Sequence, residues 1–156
     1  MSPLNGLQQE SIMRRLEFIR AEMADLAQFQ GMGQEDYHTD RNRRRNLERL
    51  AENTVNAALD VAKVVLAGES LPVPETYREV MLQLGQIGFL GNDLAAKMAE
   101  FARLRNVLAH QYLEIRWEML SRFISEGEAM LKRFVEAAEG KVVRLIDGAV
   151  DDSFHP

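Results

Sequence analysis

The sequence contains no cysteine among its 156 residues. This absence excludes disulfide bonds, a thiolate nucleophile and cysteine-based zinc or iron–sulfur sites. Histidine is scarce as well, with three copies at His38, His110 and His155. Because imidazole is the side chain whose ordinary pKa lies near neutrality, acid–base chemistry at pH 7 is expected to involve one of these three residues.

Long apolar runs are also missing. No stretch of about 18 apolar residues is present to span a bilayer, and residues 1–10 lack the basic and then apolar pattern of a signal peptide. We therefore expect no membrane association and a cytoplasmic location. Metal-ligand spacings such as His-x3-His, Gly-rich phosphate loops and Gly-x-Ser-x-Gly elbows are absent too. The sequence predicts neither a metal ion nor another cofactor.

The remaining composition is that of one soluble globular domain. Hydrophobic residues make up 46% of the chain and charged residues 28%, which is ordinary for a globule able to bury a core. The net charge of −5 means that the molecule as a whole does not attract nucleic acid. Any contact with nucleic acid must therefore come from a local basic patch.

Apolar residues recur at spacings of three and four, which predicts amphipathic helices. The first helix is expected from about residue 6 to 29 on the stripe that includes Ile12, Leu16 and Ile19, and it stops at 31–33, Gly-Met-Gly. A second helix begins after a cap at Thr39 or Asp40. Gly68 is expected to follow its last turn as the C′ glycine.

Three more helices complete the predicted fold. A short helix has Pro74 in its first turn and ends at the glycines 85, 88 and 91. A fourth helix is capped by Asn92 and continues through Leu108. A fifth runs from about Trp117 to Ala138 and is closed by Gly140. The fold class is thus all-α, an antiparallel bundle of about five helices in residues 1–140, followed by a tail, 141–156, without a sustained period.

Helix four concentrates the residues with chemical potential. Arg105 falls in the same stripe as its apolar residues, although burying an unpaired guanidinium costs several kcal/mol. Arg105 must therefore reach water, pair with a carboxylate, or lie at a cleft where an anion binds. Asn106 and His110 are four residues apart and share the adjoining face, and Arg103 lies close to it.

The segment 105–110, Arg-Asn-Val-Leu-Ala-His, resembles the Arg-x4-His motif of the HEPN superfamily. Tyr112 extends it to the Arg-x4-His-x-Tyr form of the HepT toxins. Segments 45–48, 71–78 and 112–115 are similar to the family as well, and the similarity covers roughly residues 10–138. Where relatives often carry an acidic residue after the isoleucine of the Tyr-x-x-Ile stretch, this chain has Arg116 and Trp117.

The resemblance implies a HEPN-like bundle that dimerises and acts as a metal-independent ribonuclease, the toxin of a toxin–antitoxin pair. Arg105 would bind the scissile phosphate, His110 would act as general acid or base, and Asn106 would position the phosphate or His110. It also implies that a MntA-like nucleotidyltransferase antitoxin transfers AMP to Tyr112 and silences the nuclease.

Helical geometry agrees with a shared site. Arg105 and His110 are five residues apart, about 140° around a helix, so one regular helix does not present both squarely to one phosphate. Two copies related by a twofold axis can do so.

Two further interpretations concern the partners. The basic run at 41–45 predicts an RNA-backbone contact through Arg43 and Arg44, together with Arg103, although such runs are usually solvated surface. The alternative function is a non-catalytic helical dimer that binds and regulates a nucleotidyltransferase partner, with Arg105 and His110 forming a nucleotide pocket. A plain structural bundle would leave the coincidence of Arg105, His110 and Tyr112 unexplained.

Overall fold

A computed structural model describes residues 4–152, with side-chain surroundings for residues 4–142. Within that part of the chain there are seven α-helices, one 3-10 turn and no strand. The helices are α1 (Gly6–Leu26), α2 (Gln34–Thr39), α3 (Arg41–Gly68), α4 (Tyr77–Gln86), α5 (Asn92–Ala102), α6 (Leu104–His110) and α7 (Leu113–Asp152), and the 3-10 turn is Ala27–Phe29. The predicted all-α bundle is confirmed.

The core lies between the three long helices. α1 packs on α3 and α7, the hairpin of α4 and α5 closes one side, and the short α6 packs on α3 and α7. The predicted stripe of α1 is buried at Ile12, Leu16 and Ile19. Each such side chain stabilises the fold by about 1.5–3 kcal/mol relative to an exposed position. The burial of this stripe explains why the periodicity of the sequence located α1.

Side-chain caps fix where the main helices begin. The Asn5 side chain accepts from the Gln8 amide at 2.8 Å, and the Gln8 side chain accepts from the Asn5 amide at 2.9 Å. Of the two caps predicted for α3, Asp40 is the one observed, accepting from the Arg43 amide at 3.1 Å. Each cap satisfies a helix-end N–H that has no partner within the helix.

The predictions for the region after α3 are wrong in two details. Gly68 is the last residue of α3 rather than the C′ position, and the left-handed conformation falls on Ser70, with φ 57°. A Cβ on Gly68 would lie 2.6 Å from Leu4 Cδ2, so a close approach of the amino-terminal segment explains this glycine. Pro74 precedes α4 instead of joining its first turn, because Thr76 caps that helix.

The expected fourth helix is divided. α5 ends at Ala102 and α6 begins at Leu104, with Arg103 between them. The Arg103 amide donates to Glu100 O at 3.2 Å, a tighter i to i+3 bond, although the residue keeps right-handed helical dihedrals. Asn92 is the first residue of α5 and not its cap, which is Gly91.

The last helix is longer than predicted. It begins at Leu113, because the Arg116 amide already bonds to Tyr112 O at 3.1 Å. It also passes through Gly140, which does not close it, and reaches Asp152. Ala138 and Val142 are both buried, so packing on either side of Gly140 offsets the roughly 1 kcal/mol that glycine costs in a helix.

The division into a bundle, 1–140, and a tail, 141–156, stays a prediction, and His155 lies outside the described residues. α2 was not predicted, since its six residues are too few to show a period. None of the helices described by the structure is long and apolar enough to cross a membrane.

Candidate active site

Arg105 is held by α3 and α4. It lies half-buried on α6, and its guanidinium donates to the Asn56 side-chain oxygen on α3. The guanidinium carbon also lies 5.1 Å from the centre of the Tyr77 ring, the first residue of α4. Within residues 4–142, Arg105 takes part in no ion pair.

These partners orient the Arg105 guanidinium without neutralising its charge. The Asn56 amide oxygen accepts a hydrogen bond from Arg105, and the face of the Tyr77 ring attracts the cation, but neither partner carries a formal charge. Lys63 adds a second cation, with Nζ 5.7 Å from the centre of the same Tyr77 ring. The sequence left three possibilities for Arg105, namely contact with water, pairing with a carboxylate, or a place in an anion-binding cleft. Pairing with a carboxylate is not observed within residues 4–142. The arrangement suits the binding of an anion.

Asn106 and His110 are both exposed on α6. Leu104 and Val107 turn the opposite face of α6 into the core, which leaves Asn106 and His110 exposed one helical turn apart. His110 is the last residue of the helix. Exposed imidazole and amide groups at this spacing can contact the same bound molecule.

Arg103 lies at the start of this segment and is exposed. Its guanidinium pairs with Glu100 at 2.9 Å, and Glu100 also lies 3.9 Å from Arg78. Such an exposed pair contributes little to stability and exchanges readily for another anion.

The short link after His110 is held at both ends. The Gln111 amide donates to Val107 O at 3.0 Å, and Gln111 O accepts from Arg116 Nε at 2.8 Å. Arg116 also pairs with Glu48 of α3 at 3.3 Å. The Glu48 carboxylate accepts a 2.5 Å hydrogen bond from Tyr37, and burial together with this bond raises the pKa of the Tyr37 phenol.

Tyr112 projects from this link into solvent. The residue is 81% exposed. A tyrosine that served only as a core or half-buried aromatic would lie deeper. The hydroxyl is therefore accessible to a second macromolecule.

The basic run at the start of α3 divides into two sets. Arg44 donates to the carbonyl oxygens of Tyr37 and His38 at 3.2 and 3.0 Å, and Arg43 donates to Gln28 O at 3.4 Å. The other two arginines of the run, at 41 and 45, are exposed. Arg43 and Arg44 thus already hold main-chain oxygens of the protein.

Sequence reasoning missed the residues that support the site, namely Asn56, Tyr77, Glu48 and Arg116. Asn56 carries no local signal, because it meets α6 only through the fold, whereas Glu48 and Tyr77 lie in segments 45–48 and 71–78, whose resemblance to the family gave them no role at the site. Arg116 had a signal only through the resemblance, which implied an acidic residue near this position. Among the described residues, no group of three or more histidine, aspartate or glutamate side chains could hold a metal ion.

Known proteins share this arrangement of helices. A toxin–antitoxin complex solved with AMP-PNP matches with a TM-score of 0.74 at 16% identity, covering 84% of this chain and 98% of that one. The tri-AMPylated HEPN toxin of Shewanella oneidensis, solved in complex with MNT antitoxin, matches with a TM-score of 0.73 at 17% identity, covering 83% and 97%. The tRNA nuclease HepT of Aphanizomenon flos-aquae (strain 2012/KM1/D3) is 28% identical over 112 residues, 72% of this chain and 76% of that protein.

The arrangement of helices in this chain is the fold of a solved HEPN toxin. The model of the HepT-like ribonuclease family matches residues 19–138, and the chain belongs to that family.

Proposed function

We propose that this protein is the toxin of a toxin–antitoxin pair and a metal-independent RNA endonuclease. The observation that carries the proposal is an arginine held by uncharged partners, Asn56 and Tyr77, on the same short helix as an exposed histidine. Membership of a family of HepT-like ribonucleases and similarity to a tRNA nuclease support it.

The chemistry needs only a proton carrier and an anion site. His110 takes the proton from a ribose 2′-hydroxyl, the 2′ oxygen bonds to phosphorus, and the bond from phosphorus to the 5′ oxygen breaks. The leaving 5′ oxygen receives a proton from the protonated His110 or from water, and a 2′,3′-cyclic phosphate remains. Arg105 binds the phosphate and stabilises its developing charge, while Asn106 positions the phosphate or His110.

The site is proposed to be composite, formed at the cleft of a homodimer. Arg105 and His110 lie about 140° apart around α6, so each phosphate would be held by Arg105 of one protomer and His110 of the other. Contacts to the RNA backbone are proposed for Arg103, Arg43 and Arg44, the last two in addition to their bonds within the protein.

Control is proposed to act at Tyr112. The partner is a MntA-like nucleotidyltransferase antitoxin that transfers AMP to the exposed hydroxyl; one of the solved relatives is an AMPylated HEPN toxin in complex with MNT antitoxin. Each AMP adds a negative phosphate two residues beyond His110. That charge competes with RNA for the arginine donors and repels its backbone.

A second function uses the same surface without catalysis. The net charge of −5 gives no long-range attraction for RNA, which favours a helical dimer that binds and regulates the nucleotidyltransferase. In that case Arg105 and His110 would form a pocket for a nucleotide.

Cleavage of RNA in EDTA separates the two functions. Purified wild type should leave 2′,3′-cyclic phosphate ends, whereas His110→Ala should be slower by about 10²–10⁴-fold because it lacks the proton carrier. Arg105→Ala should be impaired as well. If all three proteins cleave equally, the nuclease proposal is contradicted and the signal comes from a contaminating enzyme.

A further inference from the structure

We propose that Arg116 is a positioning residue that sets the place of His110 at the end of α6 in each protomer. The proposal rests on the proposed ribonuclease function and adds a residue to it. Arg116 is on α7, outside the Arg-x4-His-x-Tyr segment.

Arg116 joins three parts of the molecule through one planar group. Its Nε donates to Gln111 O at 2.8 Å, and its η1 nitrogen lies 3.3 Å from the Glu48 carboxylate. Its main-chain amide donates to Tyr112 O at 3.1 Å. The guanidinium is rigid and planar, so the hydrogen bond to Glu48 also fixes the direction in which Nε donates to Gln111 O.

Glu48 is itself a firm anchor. The hydroxyl of Tyr37 donates to the same carboxylate oxygen at 2.5 Å, and Tyr37 is fully buried. The ring of Trp117 packs on Tyr37 with 5.2 Å between ring centres. The Glu48 side chain is 20% exposed and that of Arg116 25%, so solvent screens this pair only in part.

The segment held by Arg116 has little freedom of its own. Only Gln111 and Tyr112 separate α6 from α7. The Gln111 amide is bound to Val107 O of α6, and its carbonyl is bound to Arg116 of α7. His110 immediately precedes this link, so the contact of Arg116 determines where the end of α6 lies.

Both ends of α6 are thereby fixed relative to α3. Arg105 is bound to Asn56, and the link after His110 is bound through Arg116 to Glu48. Asn56 and Glu48 are eight residues apart, about 12 Å along one rigid helix. α6 has seven residues, so its length, about 10 Å, is close to the distance between the two attachments. Each attachment therefore holds one end of α6.

The charge of Arg116 distinguishes it from an RNA-binding arginine. Its guanidinium is paired with Glu48, whereas that of Arg105 is not paired with a carboxylate. Removal of Arg116 should therefore change the rate of the chemical step more than the affinity for RNA. Displacement of a reacting group by about 1 Å can cost 10²-fold in rate.

Single-turnover cleavage with saturating RNA tests this role. Arg116→Met should cleave about 10–100-fold more slowly while its RNA dissociation constant stays near that of wild type. Arg116→Lys retains the charge beside Glu48 but not the planar fork, and it should recover less than half of the lost rate. Arg122→Met is the matched control, because Arg122 is on the same helix and its one ion pair within residues 4–142 is with Glu118 at 3.6 Å. Wild-type cleavage by Arg116→Met, or an equal loss of RNA binding, would overturn the proposal.

Hydrogen exchange measures the attachment without RNA. Amides of the segment 110–113 should exchange faster in Arg116→Met than in wild type or Arg122→Met, while the rest of the bundle is unchanged. Unchanged exchange at this segment contradicts the attachment. If wild type cleaves no RNA but the exchange differs as expected, the proposed function fails and the attachment stands.

Discussion

Arg105 and Arg116 flank the candidate site, and their partners differ in charge. Arg116 faces a carboxylate, Glu48, whereas Arg105 faces an amide oxygen and an aromatic ring. A carboxylate partner neutralises a guanidinium and holds it in place, while a neutral partner holds it and leaves the charge available. The same residue type therefore serves structure in one case and anion binding in the other.

Changing the charge at Asn56 tests this distinction. Asn56→Asp should place a carboxylate beside Arg105, so it should keep or raise the melting temperature but weaken RNA cleavage about tenfold or more. Asn56→Ala is the control, since it removes the hydrogen bond without adding charge. Both variants are measured by thermal unfolding and by cleavage in EDTA. Full cleavage by Asn56→Asp would show that Arg105 does not bind the phosphate.

The exposed hydroxyl of Tyr112 permits an equally local test. Tyr112→Phe removes one oxygen from a solvated ring, so the fold and cleavage should be retained while modification is lost. Intact mass spectrometry after co-expression with a MntA-like nucleotidyltransferase should show AMP additions on wild type and none on the variant. Neutralisation of a wild type that carries no AMP would mean inhibition by complex formation alone.

At the scale of elements, helices with an apolar stripe were predictable, whereas α2 and the break between α5 and α6 were not. The starts of α1 and α3 followed from an unbroken apolar stripe and a capping residue. α2 and the break at Arg103 depend on a few residues in tertiary contact, which leave no period. The residues of the Arg-x4-His segment were recognisable because they are close together in the sequence. Asn56 was not, because it is 49 positions from Arg105 and only packing brings the two residues together.

Two helical glycines give opposite predictions for helix packing. A Cβ on Gly85 would lie 2.8 Å from Ala95 Cβ, so Gly85→Ala should separate α4 from α5 and destabilise by about 1–3 kcal/mol. A Cβ on Gly140 meets nothing within 4 Å, so Gly140→Ala should stabilise by about 0.5–1 kcal/mol. Urea unfolding of the two variants measures both values. Destabilisation by Gly140→Ala would contradict the continuous helix α7.

At the scale of the whole molecule, the composite site requires a second copy. Size-exclusion chromatography with light scattering should give twice 17.8 kDa, and a strict monomer at micromolar concentration would contradict a shared cleft. Mixing Arg105→Ala with His110→Ala provides a sharper test. Random exchange of subunits gives half heterodimers, each with one intact site, and should restore about a quarter of wild-type cleavage. No recovery after exchange would place both residues of a site in one protomer.

The attachment of both ends of α6 to α3 also limits how the gene can change in length. One residue inserted between Glu48 and Asn56 would rotate one attachment by about 100° relative to the other, and four would move it by about one turn, 6 Å. The two-residue link at 111–112 has no slack to absorb either shift. Loops elsewhere in the bundle that position no residue of the site have no such role. Homologous genes should therefore vary in length there and keep this eight-residue interval constant.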